Sequence, residues 1–148
     1  MRHRIAGRKF SRSTKQRKAL FFSGLQVLIE NGFLKTTLER AKSIRRIAEK
    51  LITKARQGDV ASRRKIHLIL RKRSLVNKLV DEIAPLFRER KGGYLRIIRF
   101  PPRQGDKAVM ARLEFVEYPQ KMNEVDIKDK KETKKIKNEN KDKSNKKK

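Results

Sequence analysis

At 148 residues, with a formal net charge of +27 and a pI near 11.1, the chain suits one compact domain with appendages, and its self-repulsion requires a polyanion or counterions. It contains no cysteine, which excludes a disulfide framework, a thiolate metal site and a cysteine nucleophile. Charges interrupt every apolar run before the ~18 residues that a membrane helix needs, and no apolar stretch of a secretory signal follows the basic start.

The first twelve residues read as a basic arm. Arg2, Arg4, Arg8, Lys9 and Arg12, followed by Lys15, Arg17 and Lys18, all precede the first acidic residue, Glu30. Nucleic acid is the usual polyanion for such a stretch, and an anionic membrane surface is the second candidate. A mitochondrial-type transit peptide shares the composition, being Arg-rich, Ser-containing and poor in acid. An arm of this kind is expected to order on binding folded RNA, with few protected amides before Ser13 in the isolated protein.

Residues 13–118 carry regular periodicity. Phe21, Leu25, Leu28 and Ile29 share one face of a first helix, which Asn31-Gly32 stops through a left-handed residue. Residues 33–37 are apolar or β-branched and predict a short strand. Thr36 and Glu39 have capping-box spacing, so a second helix is expected to begin there. Its stripe is Ala41, Ile44, Ala48, Leu51, Ile52 and Ala55, with Lys42, Arg45, Arg46, Glu49 and Lys50 opposite. Gly58 ends it, and Asp59 caps a third helix holding Ile66, Ile69 and Leu70. Ser74 is the expected cap of a fourth, with Val76, Leu79, Val80 and Ile83 inward and a stop near Ala84, before Pro85.

After Lys91-Gly92-Gly93 the period changes to two. Residues 94–100 predict a strand ended by Pro101-Pro102, and residues 103–106 a turn. In a second strand Val109, Ala111, Leu113 and Phe115 alternate with Met110, Arg112, Glu114 and Val116, which completes a hairpin. The fold class is α+β, with helices on one face of a small sheet that includes residues 33–37. Residues 119–148 read as a disordered lysine-rich tail, since its end has one apolar residue, Ile136, and no arginine.

No catalytic, cofactor or metal site is predicted. His3 lies in the arm with no neighbour to orient it, and His67 belongs to a basic face with Arg63, Arg64 and Arg71. Asp81 and Glu82 diverge on a helix and are expected to offset cations such as Lys78. Gly92-Gly93 precedes a strand, not the helix N-terminus of a phosphate-cradling loop. Binding remains, and arginine suits it as a planar donor that grips phosphate with two bonds and stacks on bases. Every arginine lies at or before Arg112. Tyr94 beside Arg96, and Phe100 beside Arg103, are placed to stack on unpaired bases. Phe21, Phe87 and Phe115 read as core, Phe100 leans the same way, and Tyr94 is open between the two roles.

Several stretches in register resemble the bacterial large-subunit ribosomal protein seventeen family. They are Met1-Arg2-His3-Arg4, Gly7-Arg8-Lys9, Arg17-Lys18-Ala19-Leu20, and Thr36-Thr37 followed by Arg40-Ala41-Lys42. Further on come Glu49-Lys50-Leu51-Ile52-Thr53, Asp81-Glu82-Ile83-Ala84-Pro85, Gly92-Gly93-Tyr94 and Pro102-Arg103-Gln104-Gly105-Asp106. The resemblance runs from Met1 to about Val116. It implies a two-layer α/β domain in the order helix-strand-helix-helix-helix-strand-strand and no enzymatic activity. It further implies a place on the large subunit in the bacterial cytoplasm, bound to its large ribosomal RNA near the exit of the nascent-chain tunnel, with ribosomal protein thirty-two as neighbour. Because it starts at Met1, the arm is expected to stay, against a cleaved transit peptide.

The RNA-binding residues so expected are Arg2, His3, Arg4, Arg8, Lys9, Arg12, Lys15, Arg17, Lys18, Arg40, Arg45, Arg46, Tyr94, Arg96, Arg99 and Arg103. No membrane, cofactor or small-molecule substrate is expected. The chain has Gln16 where the family commonly has His, and Phe22-Ser23-Gly24 where it commonly has Arg-Asn-Leu. No RNA contact is therefore carried to position 22, and Gly24 is expected to weaken the first helix by up to about 1 kcal/mol relative to Ala. Two other classes share the charge: a nucleic-acid chaperone or DNA compactor without a defined site, and an RNA-modifying enzyme using His3 or the acidic pairs.

Overall fold

The computed structural model describes residues 7–119, so the expectations for Arg2, His3 and Arg4 and for the tail from Gln120 onward fall outside the described residues. Helix α1, Thr14–Asn31, starts at a capping box in which Ser13 Oγ accepts from the Gln16 amide and Gln16 Oε1 accepts from the Ser13 amide. Such a cap contributes about 1 kcal/mol. The helix stops at Gly32, whose φ of 81° is the left-handed turn expected there.

Strand β1, Phe33–Thr37, runs without a loop into helix α2, Leu38–Ala55. The expected capping box from Thr36 is not formed. Thr36 and Thr37 are committed to the sheet, opposite Ala111 and Met110, and no side chain caps the helix. Glu39 turns instead to Lys42 and Arg8. All six residues of the expected α2 stripe are buried.

Helix α3, Val60–Leu70, begins where Asp59 accepts from the Ser62 amide, as its spacing predicts. Helix α4, Arg73–Asn77, starts after Lys72, two residues earlier than expected, so Ser74 lies inside its first turn. It continues as a π-helical segment, Lys78–Ile83, and a 3-10 turn, Ala84–Phe87. The chain therefore passes the expected stop. Pro85 lies in the first turn of the 3-10 segment, where its missing N–H costs little. The change of helical pitch keeps Leu79, Val80, Ile83 and Phe87 all buried.

Strands β2, Leu95–Pro102, and β3, Val109–Phe115, complete an antiparallel sheet of order β1-β3-β2. The prolines do not end β2 but belong to it, past a register shift between Arg99 and Pro102. They are tolerated because β2 is an edge strand, where a missing amide breaks no ladder. One sheet face carries Leu34, Ile97, Ala111 and Leu113 and packs on the helices, while the other is open. This is the α+β, two-layer arrangement and element order that the sequence predicts.

Three contacts fix the layers. Gly24 lets α1 approach α2 so closely that a Cβ there would stand 2.6 Å from Ile44 Cδ1. The Arg56 guanidinium donates to the carbonyls of Arg88 and Arg90 and to Tyr94 Oη, tying the end of α2 to the chain that enters β2. Tyr118 stacks on Phe115, donates to the carbonyls of Ile29 and Glu30, and covers Gly32.

Gly24→Leu is expected to lower stability by about 1–3 kcal/mol through overpacking, despite its better helix propensity. Urea unfolding measures this, and adding Ile44→Val should recover part of the loss. Gly32→Ala is expected to cost about 1–2 kcal/mol from its left-handed backbone alone, with the clash against the Tyr118 ring added in the same measurement.

Candidate nucleic-acid interface

The arm does not stand away from the body over residues 7–12. The Phe10 ring meets Phe21 edge-on at 6.0 Å, and Arg8 Nε lies 2.9 Å from Glu39 Oε2. Arg12 Nη1 donates to the Phe10 carbonyl at 3.2 Å. Positive φ at Phe10 and Ser11 turns the chain toward α1. Residues 8 and 10 thus have partners in the body. Phe10 supplied the signal: it is the one large apolar side chain among residues 7–12.

Between arm and helices lies a groove of about 340 Å³. The arm contributes Gly7, Arg8 and Lys9, α1 contributes Arg17 and Phe21, and α2 contributes Ser43, Arg46, Ile47 and Lys50. These positions converge because 17 and 21, and 43, 46, 47 and 50, are neighbours on a helical face. Its walls hold five cations and no carboxylate. Glu39 stands at the arm, where the Lys42 hydrogen bond, with the charge of Arg8, holds its pKa below the usual carboxylate range. The structure thus brings together four expected residues, Arg8, Lys9, Arg17 and Arg46. It adds Lys50 and Ser43, which their three- and four-residue spacing from Arg46 and Ile47 would have found.

Other expected cations lie elsewhere. Arg12, Lys15 and Lys18 are exposed near the start of α1, Arg40 is half-buried, and Arg45 pairs with Glu49 at 2.9 Å. Tyr94 is 1% exposed and packs edge-on to Phe87, so its place is in the core and not under a base. Phe100, expected to lean to the core, is 36% exposed. Asp81 pairs with Arg63, not Lys78, because Lys78 donates to the Glu30 carbonyl and lies over the Tyr118 ring. His67 is exposed on α3.

A second basic cluster lies on the sheet. Arg96 and Arg112 flank Glu114, which is 7% exposed, and Arg99 is exposed on β2. Arg112 Nε is 2.7 Å from Glu114 Oε2 without the alignment of a hydrogen bond, so the attraction there is mainly charge. Lys35 and Arg112 were not among the expected residues. Alternation places each on a strand face, but their neighbourhood follows only from the register that aligns Lys35 with Arg112 and Ile98.

In the hairpin turn, Arg103 binds the Asp106 carboxylate and so enters any RNA contact already paired. That hydrogen bond, with a second from the Ala108 amide, pulls the Asp106 pKa down from 3.8 to about 2. Among the described residues no cluster of histidines and carboxylates has the composition of a metal site, and no helix is long and apolar enough to cross a membrane.

Residues 21–116 match the family described as ribosomal protein L17, well over half of the chain. The large ribosomal subunit protein bL17 of Dictyoglomus turgidum is 50% identical over 116 residues, which cover 78% of this chain and 100% of that protein. The protein of the same name from Thermodesulfovibrio yellowstonii is 44% identical over 131 residues, covering 88% of this chain and 98% of that one.

Because the Asp106 pKa is depressed in the folded state, its contribution to the turn is present above the ordinary value of 3.8 and is lost as the pH falls through about 2. A falling protection of the Ala108 amide, relative to its intrinsic exchange, over that window is the expected readout, and Asp106→Asn should remove that fall.

Proposed function

The chain belongs to the ribosomal protein L17 family, and we propose that its basic surfaces bind and stabilise large-subunit ribosomal RNA. The family is structural: its members are proteins of the large ribosomal subunit, at work in the bacterial cytoplasm, and not enzymes. The observation that carries the proposal is the groove between arm and helices, where five cations face one space and no acid lines it.

Such a groove suits a phosphate backbone. Its cations replace the counterions that screen the repulsion between neighbouring phosphates, and Arg17 and Arg46 can each hold a phosphate through two N–H donors. Gly7, with a φ of 90° and no atom within 4 Å of its would-be Cβ, leaves room for the backbone to approach. The arm of residues 1–12, the body of residues 13–118 and the tail of residues 119–148 divide the work in this proposal. Arm and body make the defined contacts, and the tail adds charge. The family resemblance supports a position near the tunnel exit beside ribosomal protein thirty-two, which crosslinking from the arm on intact subunits tests.

Arg17→Ala and Arg46→Ala should each reduce the slope of log Kobs against log salt by about 1, and do so alike for different RNA sequences. The chain should also remain with large subunits through a high-salt wash. Recovery in the post-ribosomal supernatant, or equal displacement from ribosomal RNA by duplex DNA, would favour a general nucleic-acid chaperone instead.

A further inference from the structure

The open face of the sheet has a composition that its own body does not use. Phe33 is 41% exposed, Ile98 40% and Phe100 36%, and the two phenylalanines are the only aromatic side chains among the exposed large apolar residues of the described chain. The register puts Phe33, Glu114 and Arg96 in one row across the strands and Lys35, Arg112 and Ile98 in the next on the same face. Each ring already carries a cation. The Arg112 guanidinium lies 4.2 Å from the Phe33 centroid, and Lys35 Nζ lies 5.5 Å from that of Phe100.

Charge decides the kind of partner. The one acid in these rows, Glu114, is nearly buried and held between Arg96 and Arg112, so the face presents positive charge around two aromatic rings. An apolar protein surface laid here would strip water from Lys35, Arg96 and Arg112 with a single carboxylate to answer them. A single-stranded nucleic acid meets both demands, since its bases stack on rings and guanidinium planes while its phosphates meet the cations. Base-paired RNA offers phosphates but keeps its base faces inside the helix.

We propose that the open sheet face is a second RNA surface, one that takes unpaired bases stacked on Phe33 and Phe100 with their phosphates on Lys35, Arg96 and Arg112. The proposal rests on the reading of the chain as an RNA-binding protein and assigns this face a different form of RNA from the groove. Arg112, which lies over Phe33, extends the stack from that ring to a base through its planar guanidinium.

The test uses the full chain and two probes at one salt concentration, a mixed-sequence single-stranded RNA and a duplex RNA of equal length. Phe33→Leu and Phe100→Leu keep the apolar bulk and remove the aromatic face. Each should weaken single-stranded binding about tenfold, while duplex binding stays within about twofold. Unchanged single-stranded binding, or an equal loss on both probes, would overturn the proposal. Arg17→Ala with Arg46→Ala separates the two readings. Loss from the groove pair alone removes the sheet face and leaves the RNA-binding reading standing, whereas no loss from either set removes both. On assembled subunits, a photocrosslinker at position 98 should capture RNA; capture of protein alone would assign this face to a protein partner.

Discussion

Repulsion among forty-three lysines and arginines, set against sixteen acids, is the constraint on which the rest of the structure depends. The fold answers it by placing acids one at a time where a cation or a helix end must be held. Glu39 holds Arg8 and Lys42, Glu49 holds Arg45, Asp81 holds Arg63 and Asp106 holds Arg103. Glu114 takes two arginines at once, and Asp59 is used on a helix start. The exposed pairs among them are individually weak, since water and salt screen them. Their larger effect is spatial. Acids are held in pairs elsewhere on the surface, and none lines the groove between arm and helices.

Periodicity and capping chemistry made much of the body legible. The α2 stripe, the Gly32 stop, the Asp59 cap and the β2–β3 hairpin all depend on residues close in sequence. What escaped depends on competition between levels. Thr36 and Glu39 have the spacing of a cap, but the sheet claims Thr36 and Arg8 claims Glu39. Pro101-Pro102 has the chemistry of a stop, but at a sheet edge a missing amide breaks nothing. From the Ser74 cap to a stop near Ala84 the sequence has the pattern of one α-helix, whereas burying Leu79, Val80, Ile83 and Phe87 together takes two changes of pitch.

The candidate site divides the same way. Charge density located the arm and the basic side of α2, and helical spacing accounts for how Arg17, Arg46 and Lys50 converge. The sheet surface was out of reach because Phe33, Arg112 and Ile98 are far apart in the chain and meet only through strand register. Tyr94 shows the converse error. Beside Arg96 in sequence it resembles a stacking platform, but it lies just before β2, its ring is buried against Phe87, and its hydroxyl oxygen accepts from Arg56. Gly24 is similar: a weak residue for an isolated helix becomes the point that admits Ile44.

The Tyr118 clasp has a consequence for the order in which the molecule is made. Its hydroxyl closes on carbonyls 88 and 89 residues earlier, and β1 likewise waits for β3 to supply its ladder. Neither contact can form until nearly the whole body has been synthesised, whereas the arm emerges first. Loops of this length close late, because their entropy must be spent before the contact rewards it. The nascent chain therefore offers a basic segment without a single acid to solvent and RNA while its sheet is still unpaired. Vectorial synthesis alone gives the charged end a head start over the domain that will anchor it.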